Sequence, residues 1–450
     1  MSAPPRDECR CNKIAGPTPG PNGHYTCFCV CFSCKFFRAR RPAGMRLRHV
    51  SLLHRHGDRS PIIKMLEPSA LYWSEQLAPP PTTAVGWKAC ASGGEPLGLP
   101  YGQLTKLGAS QLHARGRELR KFLLQRAPTS FWWLAPAESI AVTSTAFPRT
   151  VHSTRALLSA LLAAEGEDGS DGSGCDGGGG GGGVYGGGLA HAVRHEGWMD
   201  MIPDMGVSEE QVNAEAAVWA RGAARDRFAS AEDARLRLGE LLVRVGVLPP
   251  AANPEQVGAG VSWNLLHDAT NCAAVHGAAA GLAPALCSAL EHGGAGDAGA
   301  TGSGDTGVAH SDIAELRSLS ALAAEHNTWR WFTLQSDTHV ARLSVGPFVE
   351  RYVAALQHAS AGAGRGEGGA PLVQVYSAHD STMVSLMAAL GLKSAAGQNM
   401  WPTYASVLRA EVLEPAGGGD DVVRFFLNNE IMHVSGVPEL KPSQLAPIWQ

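Results

Sequence analysis

Residues 50–61 read Val50-Ser51-Leu52-Leu53-His54-Arg55-His56-Gly57-Asp58-Arg59-Ser60-Pro61. An apolar run stops abruptly at two histidines and two arginines, is broken by Gly57 and is closed by Pro61. The apolar half suits a buried strand. The polar half suits the loop at its C-terminal end, where open α/β sheets bind ligands. Arg55 and Arg59 carry forked cationic donors that match phosphate oxygens. His56 between them is a candidate nucleophile in its neutral form, and two guanidiniums beside an imidazole lower its pKa and keep it neutral. The bland alternative is a basic surface loop, but the type, order and spacing of these residues set the stretch apart from one.

Downstream segments repeat this logic. Leu104 to Gln125 reads as a helix, with Thr105 as N-cap and Leu112, Leu119, Phe122 and Leu123 on one face. Gly108 and Gly116 would let it pack closely. Glu138 to Thr143 alternates as a short strand, with Ile140 and Val142 pointing one way. Ser144 and Thr145 turn the chain, and Arg149 opens a helix, where anions bind well. Leu372 to Tyr376 is an apolar strand that runs into His379-Asp380 and a helix over Ser381 to Leu390. A second His-Asp pair, His267-Asp268, lacks a preceding strand and reads as structural or pocket-lining. Leu316 to Ala359 is helical with breaks, and Val345-Gly-Pro-Phe348 is expected to start its last helix with Pro347 in the first turn. Trp401 to Leu413 and Val422 to Val434 read as two or three strands, with Asn428-Asn429 as a hairpin turn.

The bulk numbers bound the answer. A chain of 450 residues exceeds what one core usually fills, so two lobes are expected. A formal net charge of -4 gives no reason to expect bulk nucleic-acid binding; a local basic pocket suits a small anion better. No apolar run of roughly 18 or more residues appears, so no transmembrane helix is expected. Six of the ten cysteines, Cys9, Cys11, Cys27, Cys29, Cys31 and Cys34, crowd the start of the chain, and within Tyr25 to Phe37 cysteines alternate with aromatics before Arg38, Arg40 and Arg41. Three readings of this segment are open: a disordered extension, a palmitoylated membrane contact, or part of a transit peptide. A zinc site fits poorly, for want of two clean Cys-x2-Cys pairs. With no uninterrupted apolar core of a secretory signal near the start, an intracellular location in the cytoplasm or mitochondrion is expected, with Cys90, Cys175, Cys272 and Cys287 as free thiols.

Arg55, His56, Gly57, Arg59 and Pro61 form an Arg-His-Gly-x-Arg-x-Pro signature that resembles the histidine acid phosphatases, the second branch of the histidine phosphatase superfamily. Leu104-Thr105 with Gly108 and Gln111, the segment around Arg149, Ser377-Ala-His-Asp-Ser-Thr382 and Trp401-Pro-Thr-Tyr-Ala-Ser406 resemble further family segments, so the likeness runs from about Leu47 to Val434. It is strongest toward the subgroup that acts on lysophosphatidic acid. The resemblance implies an α/β fold with a phosphoglycerate-mutase-like core, a mainly parallel central sheet flanked by helices, and a mainly helical cap lobe over the phosphate pocket. The expected division is a Cys/Pro/Gly-rich extension over 1–44, first core part 45–165 with a loop insertion at 66–100, Gly-rich linkers and cap over 166–335, and second core part 336–450.

The resemblance also implies a phosphohistidine mechanism. His56 is the nucleophile and Asp380 the acid and base. Arg55, Arg59 and Arg149 bind the phosphoryl group, and His379 donates a further hydrogen bond to it. No metal or cofactor is called for, because the arginines supply the positive charge. The expected substrate is a small phosphate monoester such as lysophosphatidic acid, hydrolysed to monoacylglycerol and phosphate. Phytase-like or other inositol-polyphosphate activity on the same fold, a mutase-like activity, and a silent phospho-ligand-binding module are the alternatives.

Overall fold

The computed structural model describes residues 44–62, 70–78, 100–126, 140–163, 193–194, 199–203, 206–221, 310–361 and 373–450, with isolated positions between 236 and 276. The cysteine-rich segment, the glycine-rich stretches at 165–188, 293–307 and 362–369, and most of 66–100 lie outside the described residues. In chain order the strands are β1 (Met45–Arg55), β2 (Ile140–Ser144), β3 (Val193–Arg194), β4 (Val373–Ala378), β5 (Leu392–Ser394), β6 (Val407–Pro415), β7 (Val422–Leu427) and β8 (Glu430–Val434). The helices are α1 (Ala70–Gln76), α2 (Lys106–Arg126), α3 (Pro148–Leu161), α4 (Glu209–Ala220), α5 (His310–Gln335), α6 (Thr338–Ser360) and α7 (Asp380–Ala389).

The strands form one sheet in the order β3-β2-β4-β1-β6-β7-β8-β5. Its β3-β2-β4-β1 half is parallel, and every pairing from β1 through β6, β7 and β8 to β5 is antiparallel. The α/β class and helix-flanked sheet are as expected, but the sheet is mixed rather than mainly parallel. The physical reason is loop length: Asn428 and Asn429 turn β7 directly into β8, and so short a turn returns the chain only antiparallel. Asn428 takes the left-handed backbone that such a turn needs, at φ 57°.

Both faces of the parallel half are covered, which explains why β1 is buried throughout from His49 to Arg55. On one face Leu53, Tyr376 and Ala378 pack with Val345, Phe348 and Tyr352 of α6 and Met383 of α7. On the other, Val50, Leu52, Val142 and Val375 pack with Leu112, Leu119 and Phe122 of α2 and Leu158 of α3. Burial of each such leucine contributes roughly 1.5–3 kcal/mol. Helix α2 crosses α3 closely because Gly116 faces the backbone of Leu157, where a Cβ would lie 2.1 Å from the carbonyl oxygen.

Helix α6 begins earlier than its proline suggested. Asp337 caps it, accepting from the amides of His339 and Val340, both at 3.1 Å. Pro347 therefore sits inside the helix rather than in its first turn. The missing proline N–H is offset by the burial of Val340, Val345, Phe348, Val349 and Tyr352 along the same helix. A second correction concerns β6, which starts at Val407 rather than near Trp401, because Pro402 and the positive φ of Ala405, 55°, break the extended run.

The described residues fall into two compact units. The larger draws on 44–60, 76–221 and 328–450 and holds the sheet. The smaller draws on 61–75 and 228–327. Within the smaller unit, Trp73 and Cys272 are both buried, Tyr72 Oη lies 3.0 Å from His276 Nδ1, and Asp268 accepts from the Ile62 amide at 2.9 Å. The second His-Asp pair thus supplies a backbone anchor. Helix α4, grouped by sequence with the cap, packs Ala214 and Val218 against Leu334 and Val340 inside the larger unit.

An equally tight backbone approach lies beside β1. A Cβ on Gly108 would sit 2.1 Å from Asp58 O, and one on Gly57 would sit 2.3 Å from Gly108 O. Gly108→Ala is expected to lower unfolding free energy by on the order of 2–3 kcal/mol, read from the urea midpoint. A wild-type midpoint in that variant would refute the contact.

Candidate active site

The parallel register brings three strand ends to one level. Arg55 stands opposite Ala378, and Ser144 opposite Ser377. The pairing continues one step further: the His56 amide donates to Ala378 O at 3.1 Å, and the Thr145 amide to Ser377 O at 3.0 Å. His56, Thr145 and His379 therefore leave the sheet side by side. Helices α3 and α7 begin at this same edge, at Pro148 and Asp380, with their positive N-terminal ends toward it.

The loop after β1 is clamped by α2 and α3. Thr105 Oγ1 donates to Asp58 Oδ2 at 2.5 Å and accepts from the Gly108 amide at 3.0 Å, so it also caps α2. Gln111 Oε1 accepts from the Asp58 amide at 2.8 Å. Ser153 Oγ accepts from the Gly57 amide at 3.0 Å. The Leu-Thr-x-x-Gly-x-x-Gln pattern thereby has a physical account: its threonine, glycine and glutamine each contact the Gly57-Asp58 turn.

Three guanidiniums gather here. Arg55 is buried, pairs through Nη2 with Asp380 Oδ2 at 2.7 Å and donates through Nη1 to Pro402 O at 2.9 Å. Its Cζ stands 4.3 Å from the centre of the Tyr404 ring. Arg59 is buried and donates to Ser60 O at 3.1 Å. Arg149, half-buried, stacks on Phe147 at 4.4 Å and reaches His379 Nδ1 at 3.5 Å.

The His56 and His379 rings are 5.6 Å apart. His56 Nδ1 lies 2.8 Å from Gly57 O, which only accepts, so Nδ1 carries the proton and Nε2 holds the free electron pair. Burial first, then the charges of Arg149, Arg55 and Arg59, hold the His56 pKa well below the ordinary imidazole range. The same influences hold His379 down.

All six residues singled out in the sequence, Arg55, His56, Arg59, Arg149, His379 and Asp380, lie in this cluster. Sequence reasoning missed Tyr404, Phe147, Thr145 and the Pro402 carbonyl as its neighbours. The signal for Tyr404 was present in Trp401-Pro-Thr-Tyr-Ala-Ser406, which was read as strand and is instead a loop before β6. Among the described residues no group of three or more His, Cys, Asp or Glu is placed to hold a metal ion, and no helix is long and apolar enough to cross a membrane.

The parallel half of the sheet thus carries an arginine-flanked imidazole at its C-terminal edge. Residues 46–181 match the family model of the histidine phosphatase superfamily (branch 2). Lysophosphatidic acid phosphatase type 6 of Homo sapiens is 29% identical over 143 residues, covering 27% of this chain and 32% of the relative. The Mus musculus protein of that name is 28% identical over 172 residues, covering 31% and 40%. The matched stretch thus spans only 32% and 40% of the length of these relatives. A phytase of Hafnia alvei shares the fold at TM-score 0.50 and 15% identity, over 90% of this chain and 96% of that one. The multiple inositol polyphosphate phosphatase of Bifidobacterium longum does so at TM-score 0.50 and 14% identity, over 92% and 94%.

Immediately before the cluster, His54 is fully buried, and burial lowers its pKa to about 4 despite a bond to Arg55 O at 3.1 Å. In the unfolded chain it titrates near 6.5. The stability it contributes is complete above that value and is lost as pH falls toward about 4, because the unfolded chain binds the proton first. The loss from His54 is on the order of 3 kcal/mol. Urea unfolding between pH 7 and pH 4 should show a shallower decline in His54→Gln than in the wild type; parallel curves would contradict the burial argument.

Proposed function

We propose that the protein hydrolyses phosphate monoesters through a covalent phosphohistidine. The observation that carries this reading is the neutral His56 ring, its Nε2 electron pair free of the Gly57 bond, among three guanidiniums and beside the Arg55–Asp380 pair. Arg55, Arg59 and Arg149 hold the phosphoryl oxygens, where fixed positive charge stabilises the transition state most. His56 Nε2 attacks phosphorus in line as the ester P–O bond breaks. Asp380, entering protonated, gives its proton to the leaving alkoxide. Water then attacks the phosphohistidine, Asp380 takes the water's proton, and inorganic phosphate leaves with His56 restored.

The scheme favours acidic medium, because the first step needs the protonated carboxyl group. It also needs an imidazole that stays unprotonated in acid, which burial and the arginines supply. Lysophosphatidic acid is the favoured substrate, supported by the partial likeness to phosphatases named for it and by the Ala- and Leu-rich sequence over 207–290. Inositol polyphosphates would call for more lysine and arginine there.

Protein incubated with a phosphate-labelled monoester and quenched in alkali should carry label, and His56→Ala should carry none. Label retained by that variant would overturn the scheme. Asp380→Asn should slow alkyl phosphates by on the order of a hundredfold or more, and aryl phosphates, whose leaving groups need no proton, far less. Equal losses would remove the acid role. A panel of lysophosphatidate, phytate and simple monoesters at equal concentration ranks the substrates; phytate turned over fastest would displace the lipid assignment.

A further inference from the structure

One half-buried side chain borders three groups of the cluster at once and has no part in the proposed steps. The centre of the Tyr404 ring lies 4.3 Å from Arg55 Cζ, 5.8 Å from Arg59 Cζ and 5.8 Å from the centre of the His56 ring. The turn that carries this ring is held in a costly shape. Ala405, the next residue, takes a left-handed backbone at φ 55°, which residues with a Cβ rarely adopt. Such strain persists only where the surroundings over-determine it, and here they do. The Ala405 amide donates to His56 O at 3.1 Å, and Arg115 Nε donates to Ala405 O at 3.3 Å. The Ser406 amide donates to Thr403 O at 3.1 Å, and Ser406 O accepts from the Arg55 amide at 3.0 Å. Bonds from β1, from α2 and within the turn itself thus fix where the ring stands.

Arg55 needs a support of this kind. Its guanidinium is buried and is fastened at two points, through Nη2 to Asp380 Oδ2 at 2.7 Å and through Nη1 to Pro402 O at 2.9 Å. A planar group held at two in-plane points can still tilt about the line that joins them. Packing against one face removes that freedom. An aromatic face does so with attraction, because its negative quadrupole meets the cation. The bland alternative is that the two bonds suffice and the ring only fills space. An aliphatic side chain would then serve as well, and this difference separates the two accounts.

We infer that Tyr404 is a positioning residue: its ring face holds the Arg55 guanidinium in the plane that serves both Asp380 and an incoming phosphoryl group. The ring acts without adding charge, so the excess of positive charge that attracts an anion is kept. The consequence for phosphate rests on the phosphomonoesterase reading; the support of Arg55 does not.

The test compares the intact wild-type chain with Tyr404→Phe, which keeps the aromatic face, and Tyr404→Leu, which keeps apolar bulk without a ring. In proton–nitrogen NMR spectra of arginine-labelled protein, the Arg55 Nε–H signal is identified by its loss in Arg55→Lys. It should lie upfield of the ordinary arginine position in the wild type and in Tyr404→Phe, shielded by the ring, and move back in Tyr404→Leu. The dissociation constant of inorganic phosphate, measured by calorimetry, should rise about tenfold in Tyr404→Leu and stay within about threefold in Tyr404→Phe, the size expected when a desolvated cation loses an aromatic partner. An unshielded Arg55 signal in the wild type overturns the inference without recourse to any variant. So does a Tyr404→Leu protein that binds phosphate as the wild type does, or an equal weakening in both variants. A wild type with the shielded signal that neither binds inorganic phosphate nor turns over any monoester would sink the hydrolase reading while leaving the support of Arg55 standing.

Discussion

The register of three parallel strands governs everything at the candidate site. β1, β4 and β2 lie side by side, with Arg55 level with Ala378 and Ser144 level with Ser377. Side chains alternate faces along a strand, so a slip of one residue would turn Arg55 and Ala378 to the wrong sides and move His56 off the edge. Two covered faces forbid that slip. Leu53 must face α6 and α7 while Leu52 faces α2 and α3, and reversing them would exchange two well-packed clusters. The core thus aligns the site before any of its polar atoms meet.

Much of this was legible because the chemistry is local in sequence. Arg55, His56 and Arg59 share one loop, and His379 and Asp380 are neighbours at a strand-to-helix junction. Helix α2 was readable from its apolar spacing, and Thr105 from its place before the first turn. What escaped was set by distant partners. Tyr404 matters because Arg55 lies against its ring, a contact that spans nearly the whole chain and leaves no periodic trace. Thr145 looked like a turn residue, and only the fold brings its hydroxyl to His379. Pro347 misled because proline favours first turns, yet the cap at Asp337 and the buried face of α6 outweighed one lost backbone bond.

The electrostatics of the cluster run against the usual rule that buried charge is balanced locally. Among the described residues Asp380 is the carboxylate paired with Arg55, while Arg59 and Arg149 bring further positive charge to the same edge. The two imidazoles respond by staying neutral, which limits the accumulated charge and leaves a basin favourable to an anion. The helix starts of α3 and α7 deepen it, and Tyr404 and Phe147 offer ring faces to Arg55 and Arg149 without adding charge.

The hold of the loop before β6 on Arg55 has a consequence for biosynthesis. The Arg55 amide donates to Ser406 O, its guanidinium to Pro402 O, and Ala405 returns a bond to His56 O. Arg55 and Pro402 lie 347 positions apart, so this loop is synthesised long after the strand it holds. The bonds that hold Arg55 and His56 at the sheet edge therefore form only after that loop has been made and has docked against β1.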